Sequence, residues 1–371
     1  MRRVAAAAAA GWCLAGAATA APPQPEARAW LVENPTTGVV LASHAASAEV
    51  PIASITKLMT VLVVLDHHTL TDVIRVDRRV TKVGQESVGL REGEMFTVRD
   101  LLKATLIQSA NDAADALALS VAPDYGAFSF LMNTKARELG LTESHFVRPD
   151  GLDAPGEYSS ARDATKLARA AMRIPVVRDL VSETADSIPG GRELHTWNDL
   201  LGVVPGVFGV KTGHTNDAGW SQVAAARRGG VTVYATILGS PSRVQRDRDL
   251  TQLIVWGLGQ YRAVDAISTS RAYASVSLPY GLPAVNLVAT IPLRVVVRVG
   301  RALTERVVAP ALVSLPVSQG QVLGRVEIWK GTRLLGSRQL VTSRAVASPS
   351  VVAKIRWYAT RTLHDALGFF S

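Results

Sequence analysis

Residues 54–66 read Ser-Ile-Thr-Lys-Leu-Met-Thr-Val-Leu-Val-Val-Leu-Asp, and place one lysine inside a segment that is apolar on nearly every side. Wound as a helix from Ser54 to about Asp66, the segment has no polar stripe to turn toward water. A helix of that kind is buried, so any fold this chain adopts has to surround it. Lys57 goes inside with it. An unpartnered ammonium is expensive to take out of water, so the fold must supply acceptors or a use for an amine with a lowered pKa.

Alone, Ser54 reads as a plain N-cap and Lys57 as a solvated lysine. Two later strings change that weighting: Ser109-Ala110-Asn111 and Lys211-Thr212-Gly213. Together the three supply a nucleophile, a candidate base, a second hydroxyl, an amide and a second cation, a set suited to acyl transfer. A serine hydroxyl needs a base near neutrality. Lys57 lies one helical turn beyond Ser54 on the same face. Only neutral lysine accepts a proton, so burial or a second cation must depress its pKa, and Lys211 is that cation if the fold brings it close. The helix start at Ser54 offers free N–H groups to a developing oxyanion. Ser109-Ala110-Asn111 can bring a hydroxyl and an amide to the site, or act as a capping turn. Lys211 and Thr212 on a strand edge can face a substrate carboxylate, with Gly213 permitting close backbone approach.

Other chemistries are excluded. The chain has no Gly-x-Ser-x-Gly, no phosphate-binding Gly-x-x-x-x-Gly-Lys and no cysteine-based zinc site, so no cofactor or metal is expected. His67-His68 reads as a helix end. The basic residues form no RNA-binding motif, and no nucleic-acid partner is expected.

The 371 residues exceed one typical core and suggest two domains. Arg2 and Arg3, the apolar stretch Val4 to Leu14 and Ala18-Thr19-Ala20 read as an export signal over residues 1–20. The apolar run is shorter than the roughly 20 residues of a membrane span. The single cysteine, Cys13, lies in that leader, leaving a mature chain without thiols whose stability comes from packing alone.

Within residues 21–264, strand hairpins are expected at Ala29 to Leu41 and Trp220 to Leu238. A strand is expected at Gly209 to Thr212, and helices at Leu101 to Gln108, Asp112 to Ser120 and from Ser160 onward. This is an α+β domain, an antiparallel sheet with packed helices. Strand-like runs at Ala274 to Leu278, Leu293 to Val299, Arg325 to Trp329 and Leu334 to Val341 suggest a small all-β domain over 265–349. Residues 350–371 form an amphipathic helix, with Val352, Ile355, Ala359, Leu363, Ala366 and Phe370 on one side and Trp357 on the polar side. Charge is divided unevenly: 25 basic and 27 acidic residues in 21–264, but 13 basic and four acidic in 265–371. A basic last third with a terminal amphipathic helix is expected to meet an anionic membrane surface. Scattered solvated charge and a helix docked on its own domain are the plainer alternatives.

Longer strings accompany the three motifs: 52–60 (Ile-Ala-Ser-Ile-Thr-Lys-Leu-Met-Thr), 151–156 (Gly-Leu-Asp-Ala-Pro-Gly), Ser160-Ala161-Arg162-Asp163 and 209–215 (Gly-Val-Lys-Thr-Gly-His-Thr). With them, the region from about Ala29 to Val264 resembles the low-molecular-mass penicillin-binding proteins, and more closely the serine-type D-alanyl-D-alanine carboxypeptidases. The later region resembles, more weakly, their C-terminal domain and amphipathic anchor. The resemblance implies a penicillin-binding/β-lactamase-like fold and a peptidoglycan stem peptide as substrate. It also implies β-lactam inhibitors and a place on the periplasmic side of the cytoplasmic membrane. It implies that Ser54 is acylated by the penultimate D-alanine, that Lys57 is the base and that Ser109 relays a proton to the leaving amine. Asn111 orients Lys57 and the substrate amide. Lys211, Thr212 and Gly213 engage the substrate, and the backbone N–H groups of Ser54 and His214 form the oxyanion hole. Arg243 is the candidate for the terminal carboxylate. Ala110 stands where class A β-lactamases carry Asp, and no Glu-x-x-Leu-Asn follows, which disfavours a β-lactamase. A D,D-endopeptidase and a silent peptidoglycan-binding scaffold remain as alternatives.

Overall fold

The computed structural model describes residues 9–12 and 21–367, with side chains over 21–360. Most of the leader reading, Cys13 included, and Phe370 therefore lie outside the described residues. The chain divides into two units, Ala20–Gly259 and Gln260–Ser371, the second together with Met1–Thr19.

The first unit is organised by a five-stranded antiparallel sheet. Its strands are β1 (Ala29–Asn34), β2 (Val39–His44), β3 (Val207–Thr215), β4 (Gly219–Arg228) and β5 (Val231–Ser240), in the order β2-β1-β5-β4-β3. Local chemistry sets both hairpins. The Asn34 side chain accepts from the amides of Thr36 and Thr37 at 3.0 and 3.1 Å, and Gly38 takes a positive φ, which turns β1 into β2. Gly229 and Gly230, both at positive φ, join β4 to β5, as a tight hairpin requires. Every residue of β1 is buried, because both sheet faces are covered.

Strand alternation assigns the two coverings. Thr236 of β5 shares a 2.6 Å hydrogen bond with Thr165 of helix α3 (Ala161–Ala171), while Val233, on the opposite face, packs at Gly257 of helix α4 (Arg243–Gly259). Helix α1 (Lys57–Leu65) runs through the core on the α3 side, in contact with α3 and with helix α2 (Asn111–Val121). Eight of its nine residues are buried, Lys57 among them.

The expected helix at Ser54 is resolved into two pieces. Ala53–Thr56 forms a 3-10 turn, and the α-helix begins only at Lys57. Ser54 is thus one turn ahead of the α-helix rather than its N-cap. Ala53, which opens the turn, sits in the left-handed region (φ 49°), and its carbonyl lies against Gly151, where a Cβ would come within 2.3 Å of it. The helix expected over Leu101 to Gln108 also changes character, from an α-helix at Val98–Lys103 to a π-helical turn at Ala104–Gln108. That turn ends on Ser109 at φ 63° and ψ 26°. Ser160 caps α3 by accepting from the amide of Asp163 at 3.0 Å, and its hydroxyl donates to Glu143 at 2.6 Å.

The second unit is β-rich, with more strands than the sequence runs suggest. Its six-stranded sheet runs Ala9–Trp12, Leu303–Val308, Val322–Lys330, Arg333–Thr342, Val285–Ala289, Ala272–Val276, and Tyr261–Ile267 pairs separately with Leu293–Arg298. Ile267, Val276, Leu287, Val297, Val326 and Leu340 meet in its core. Helix α5 (Val351–Leu367) lies on this unit through aromatic contacts. Trp357 and Tyr358 meet Tyr280 edge-on at 5.7 and 6.0 Å, and Lys354 lies over the Tyr280 ring at 5.5 Å. This explains Trp357 on the polar side of the helix: that side is the docked one. Val351, Val352 and Ile355 face outward, at 71%, 75% and 63% exposure.

Ser160→Ala removes the α3 cap and a buried acceptor–donor link together. Chemical denaturation should show a loss of about 1–2 kcal/mol. A loss below about 0.3 kcal/mol would contradict the assigned cap.

Candidate active site

The three sequence motifs converge on the edge where β3 passes the 3-10 turn. Two glycines make the approach possible. Gly151 lets its loop lie on Ala53, and Gly213 lets β3 lie on the nucleophile turn. A Cβ at Gly213 would stand 2.7 Å from the Ile52 carbonyl oxygen and 3.1 Å from the Ser54 nitrogen.

Lys57 is completely buried, and its ammonium has three acceptors: Ser54 Oγ at 2.7 Å, Asn111 Oδ1 at 2.6 Å and the Asp150 carbonyl at 2.6 Å. Asn111 is itself held by donating from Nδ2 to the Gln85 carbonyl at 3.3 Å, which fixes its oxygen toward Lys57. Burial lowers the pKa of Lys57 to about 8, against the opposing pull of Asp150 and Asp115. Loss of one proton leaves the amine with a lone pair within hydrogen-bond reach of the Ser54 hydroxyl, the geometry a general base needs.

Lys211 is also buried. Its Nζ donates to Ser109 Oγ at 2.8 Å and to the Thr212 carbonyl at 3.0 Å. Burial, and then the charge of Lys57, hold its pKa well below the ordinary lysine value. Each lysine therefore carries one serine hydroxyl, Ser54 on Lys57 and Ser109 on Lys211.

Beneath Lys57 lies a layer of carboxylates that the sequence reading did not single out. Asp150 is gripped by Arg148 at 2.9 and 2.6 Å. Burial and the neighbouring Asp150 push Asp115 up to about 7, where Tyr125 donates to it at 2.9 Å. Glu157, pushed up to about 7 by burial, accepts from Thr56 at 2.9 Å.

A cleft of about 160 Å3 opens above these groups. Ser54, Ser109, Thr212, Gly213 and His214 line it, together with Gln85, Glu86, Trp197, Trp220 and Arg246. His214 stacks on Trp220 at 4.0 Å. Arg243 is not among the lining residues. It opens α4 with its guanidinium closed on Asp199 by two 2.6 Å bonds and lies over Trp197 at 5.0 Å. The arginine at the cleft is Arg246, one turn further on. It is 1% exposed, lies over Trp220 at 5.7 Å and has Asp199 at 3.2 Å. Arg246 is thus the guanidinium in the cleft wall, although it is itself paired with Asp247 at 2.6 Å and Asp199 at 3.2 Å, whereas Arg243 stands outside the lining. The i, i+3 spacing of the two on one helix face was the available signal.

This constellation can now be compared with known proteins. The family model for D-alanyl-D-alanine carboxypeptidases matches residues 16–242. The chain belongs to that family. D-alanyl-D-alanine carboxypeptidase DacC of Escherichia coli is 30% identical over 367 residues, covering 93% of this chain and 90% of that protein. The crystal structure of penicillin binding protein 6B from Escherichia coli superposes with a TM-score of 0.64 at 28% identity, over 88% of this chain and 98% of that one. Penicillin-Binding Protein D2 of Listeria monocytogenes, in its ampicillin-bound form, matches with a TM-score of 0.58 at 30% identity, over 64% of this chain and all of that one. The chain is thus a serine-type carboxypeptidase of the low-molecular-mass penicillin-binding class.

Two predictions follow from this geometry. Acylation of Ser54 should rise with pH and level off above about 8, since the neutral amine of Lys57 is the active form and is lost as pH falls through that value. A rate flat from about pH 6 to 9.5 would remove Lys57 as the titrating base. Arg246→Gln should lower turnover of a substrate with a free terminal carboxylate by roughly tenfold or more, with a smaller effect on an esterified analogue. Arg243→Gln should do less; the reverse order would restore the first assignment.

Proposed function

We propose that this chain removes the terminal D-alanine from peptidoglycan stem pentapeptides through an acyl-enzyme on Ser54. The observation that supports the reading is the pair of short contacts Lys57–Ser54 (2.7 Å) and Lys211–Ser109 (2.8 Å), one lysine against each of the two serines of one cleft. Neutral Lys57 takes the Ser54 proton as Oγ attacks the carbonyl of the penultimate D-alanine. The N–H groups of Ser54 and His214 hold the oxyanion. Ser109 passes a proton to the leaving D-alanine amine, with the charge of Lys211 beside it. Thr212, Gly213 and Arg246 receive the terminal carboxylate. Water then frees the acylated serine. A β-lactam enters the same path and leaves slowly, a reading supported by the ampicillin-bound relative.

The basic second unit and α5 support attachment to an anionic membrane. Trp357 faces the protein, so the apolar residues Val351, Val352 and Ile355 are left outward. No helix among the described residues is long and apolar enough to cross a membrane. The leader reading of residues 1–20 supports a peripherally bound enzyme on the outer face of the cytoplasmic membrane.

Mass spectrometry after incubation with penicillin should show one adduct on Ser54 and none on Ser54→Ala. An adduct that persists in the variant defeats the nucleophile assignment. D-alanine release from a pentapeptide should exceed cleavage of a cross-linked dimer; the opposite ranking makes the enzyme an endopeptidase. Removing residues 351–371 should abolish pelleting with anionic liposomes, and equal pelleting would exclude α5 as the anchor.

A further inference from the structure

A second hollow in the first unit is walled by arginine and shares no lining residue with the catalytic cleft. Its volume is about 270 Å3, near the lower end of ligand sites at about 300 Å3. Arg169 comes from the last turn of α3, Arg173 from just beyond it, Arg178 from the helix Pro175–Leu180, and Arg227 from β4; Phe208 of β3 and Tyr234 of β5 complete the wall.

Only one of these cations is neutralised. Arg169 pairs with the buried carboxylate of Glu33 at 3.0 Å and donates to the Pro35 carbonyl at 3.2 Å. Arg178 gives one N–H to the Met172 carbonyl at 3.1 Å. Arg227 gives one to the Thr232 hydroxyl at 3.0 Å and lies over Phe208 at 5.7 Å. Among the described residues, no carboxylate lies within ion-pair distance of Arg173, Arg178 or Arg227. Composition does not force this arrangement, because residues 21–264 carry more acidic than basic side chains. Arg173, Arg178 and Arg227 are exposed around the hollow, so water screens their mutual repulsion, and an anion seated between them would meet three guanidiniums that no carboxylate already holds. Tyr234 points to the same conclusion independently. It is 5% exposed, lines the hollow, and its hydroxyl has no hydrogen-bond partner among the described residues. Burial pushes that phenol up to about 12, so it stays a neutral donor.

We propose that this hollow is a binding site for a small polyanion, carrying phosphate or carboxylate groups on a compact frame, held by Arg173, Arg178 and Arg227 with the Tyr234 hydroxyl as a further donor. Guanidinium forks match both oxyanions in a bidentate manner. Phe208 and the Met172 side chain give the frame an apolar wall. The site is separate from the acyl chemistry, and the proposal stands whichever wall bond the enzyme cuts.

Isothermal titration of the full chain, at constant ionic strength set with chloride, tests the site with inorganic pyrophosphate and with glutarate as probes. One saturable site is expected for at least one probe. Pyrophosphate alone assigns the phosphate source, and glutarate alone the carboxylate source. Arg173→Gln and Arg227→Gln, from two different elements, should each weaken binding roughly tenfold or more, and Tyr234→Phe by a few-fold. Penicillin labelling of Ser54 should be unchanged in all three, which certifies the fold. No binding of either probe overturns the proposal, as does unchanged affinity in both arginine variants. Loss of binding once Ser54 carries penicillin also overturns it, because the anion would then occupy the catalytic cleft.

Discussion

Two lysine ammonium groups buried against one another govern this structure. Each is costly to desolvate, by several kcal/mol for an ion after relaxation, and their proximity raises that cost. The fold answers with acceptors rather than with carboxylate partners. Lys57 receives a hydroxyl, an amide oxygen and a carbonyl; Lys211 receives a hydroxyl and a carbonyl. Neutral acceptors leave the amines poorly compensated, and that is why their proton affinity drops toward the working range. A direct salt bridge would have stabilised the charge and disarmed the base. The nearby acids, Asp150, Asp115 and Glu157, are turned to Arg148, Tyr125 and Thr56 instead.

Holding those acceptors at bonding distance dictates the surrounding backbone. The Asp150 carbonyl reaches Lys57 only because Gly151 permits contact with Ala53, and β3 reaches the nucleophile turn only because Gly213 has no side chain. Both contacts fall on the 3-10 turn that carries Ser54, just ahead of the α-helix.

The convergence of the three motifs was legible in the sequence because they are residue types at short, fixed separations. Ser54 and Lys57 lie a turn apart, and an all-round apolar helix announced that Lys57 would be interior. The two β-hairpins were legible from the turns at Pro35-Thr36-Thr37-Gly38 and Arg227-Arg228-Gly229-Gly230, while the part of Asn34 in the first was not. What escaped depends on contacts between distant segments. Arg246 and Arg243 sit on one helix and look alike locally; Asp199, brought by another loop, pairs with both, and only the packing of α4 against the cleft puts Arg246 rather than Arg243 in its wall. The carboxylate layer of Asp115, Asp150 and Glu157 comes from three separate segments with no common spacing. In the second unit, the strands Val285–Ala289 and Leu303–Val308 alternate buried and exposed residues too briefly to stand out alone. Trp357 seemed misplaced on its helix until Tyr280 supplied the surface it rests on.

Ser109 shows what such a site demands of its backbone. It is a non-glycine residue held in the left-handed region at the end of a π-helical turn, a conformation that costs on the order of 1 kcal/mol and persists only because neighbouring packing imposes it. The same residue bears the hydroxyl that meets Lys211. Selection for durability and selection for this contact therefore favour different residues at one position: glycine would relieve the strain and discard the hydroxyl that meets Lys211. A thermostable relative that keeps its catalytic rate has to find its extra stability elsewhere in the fold.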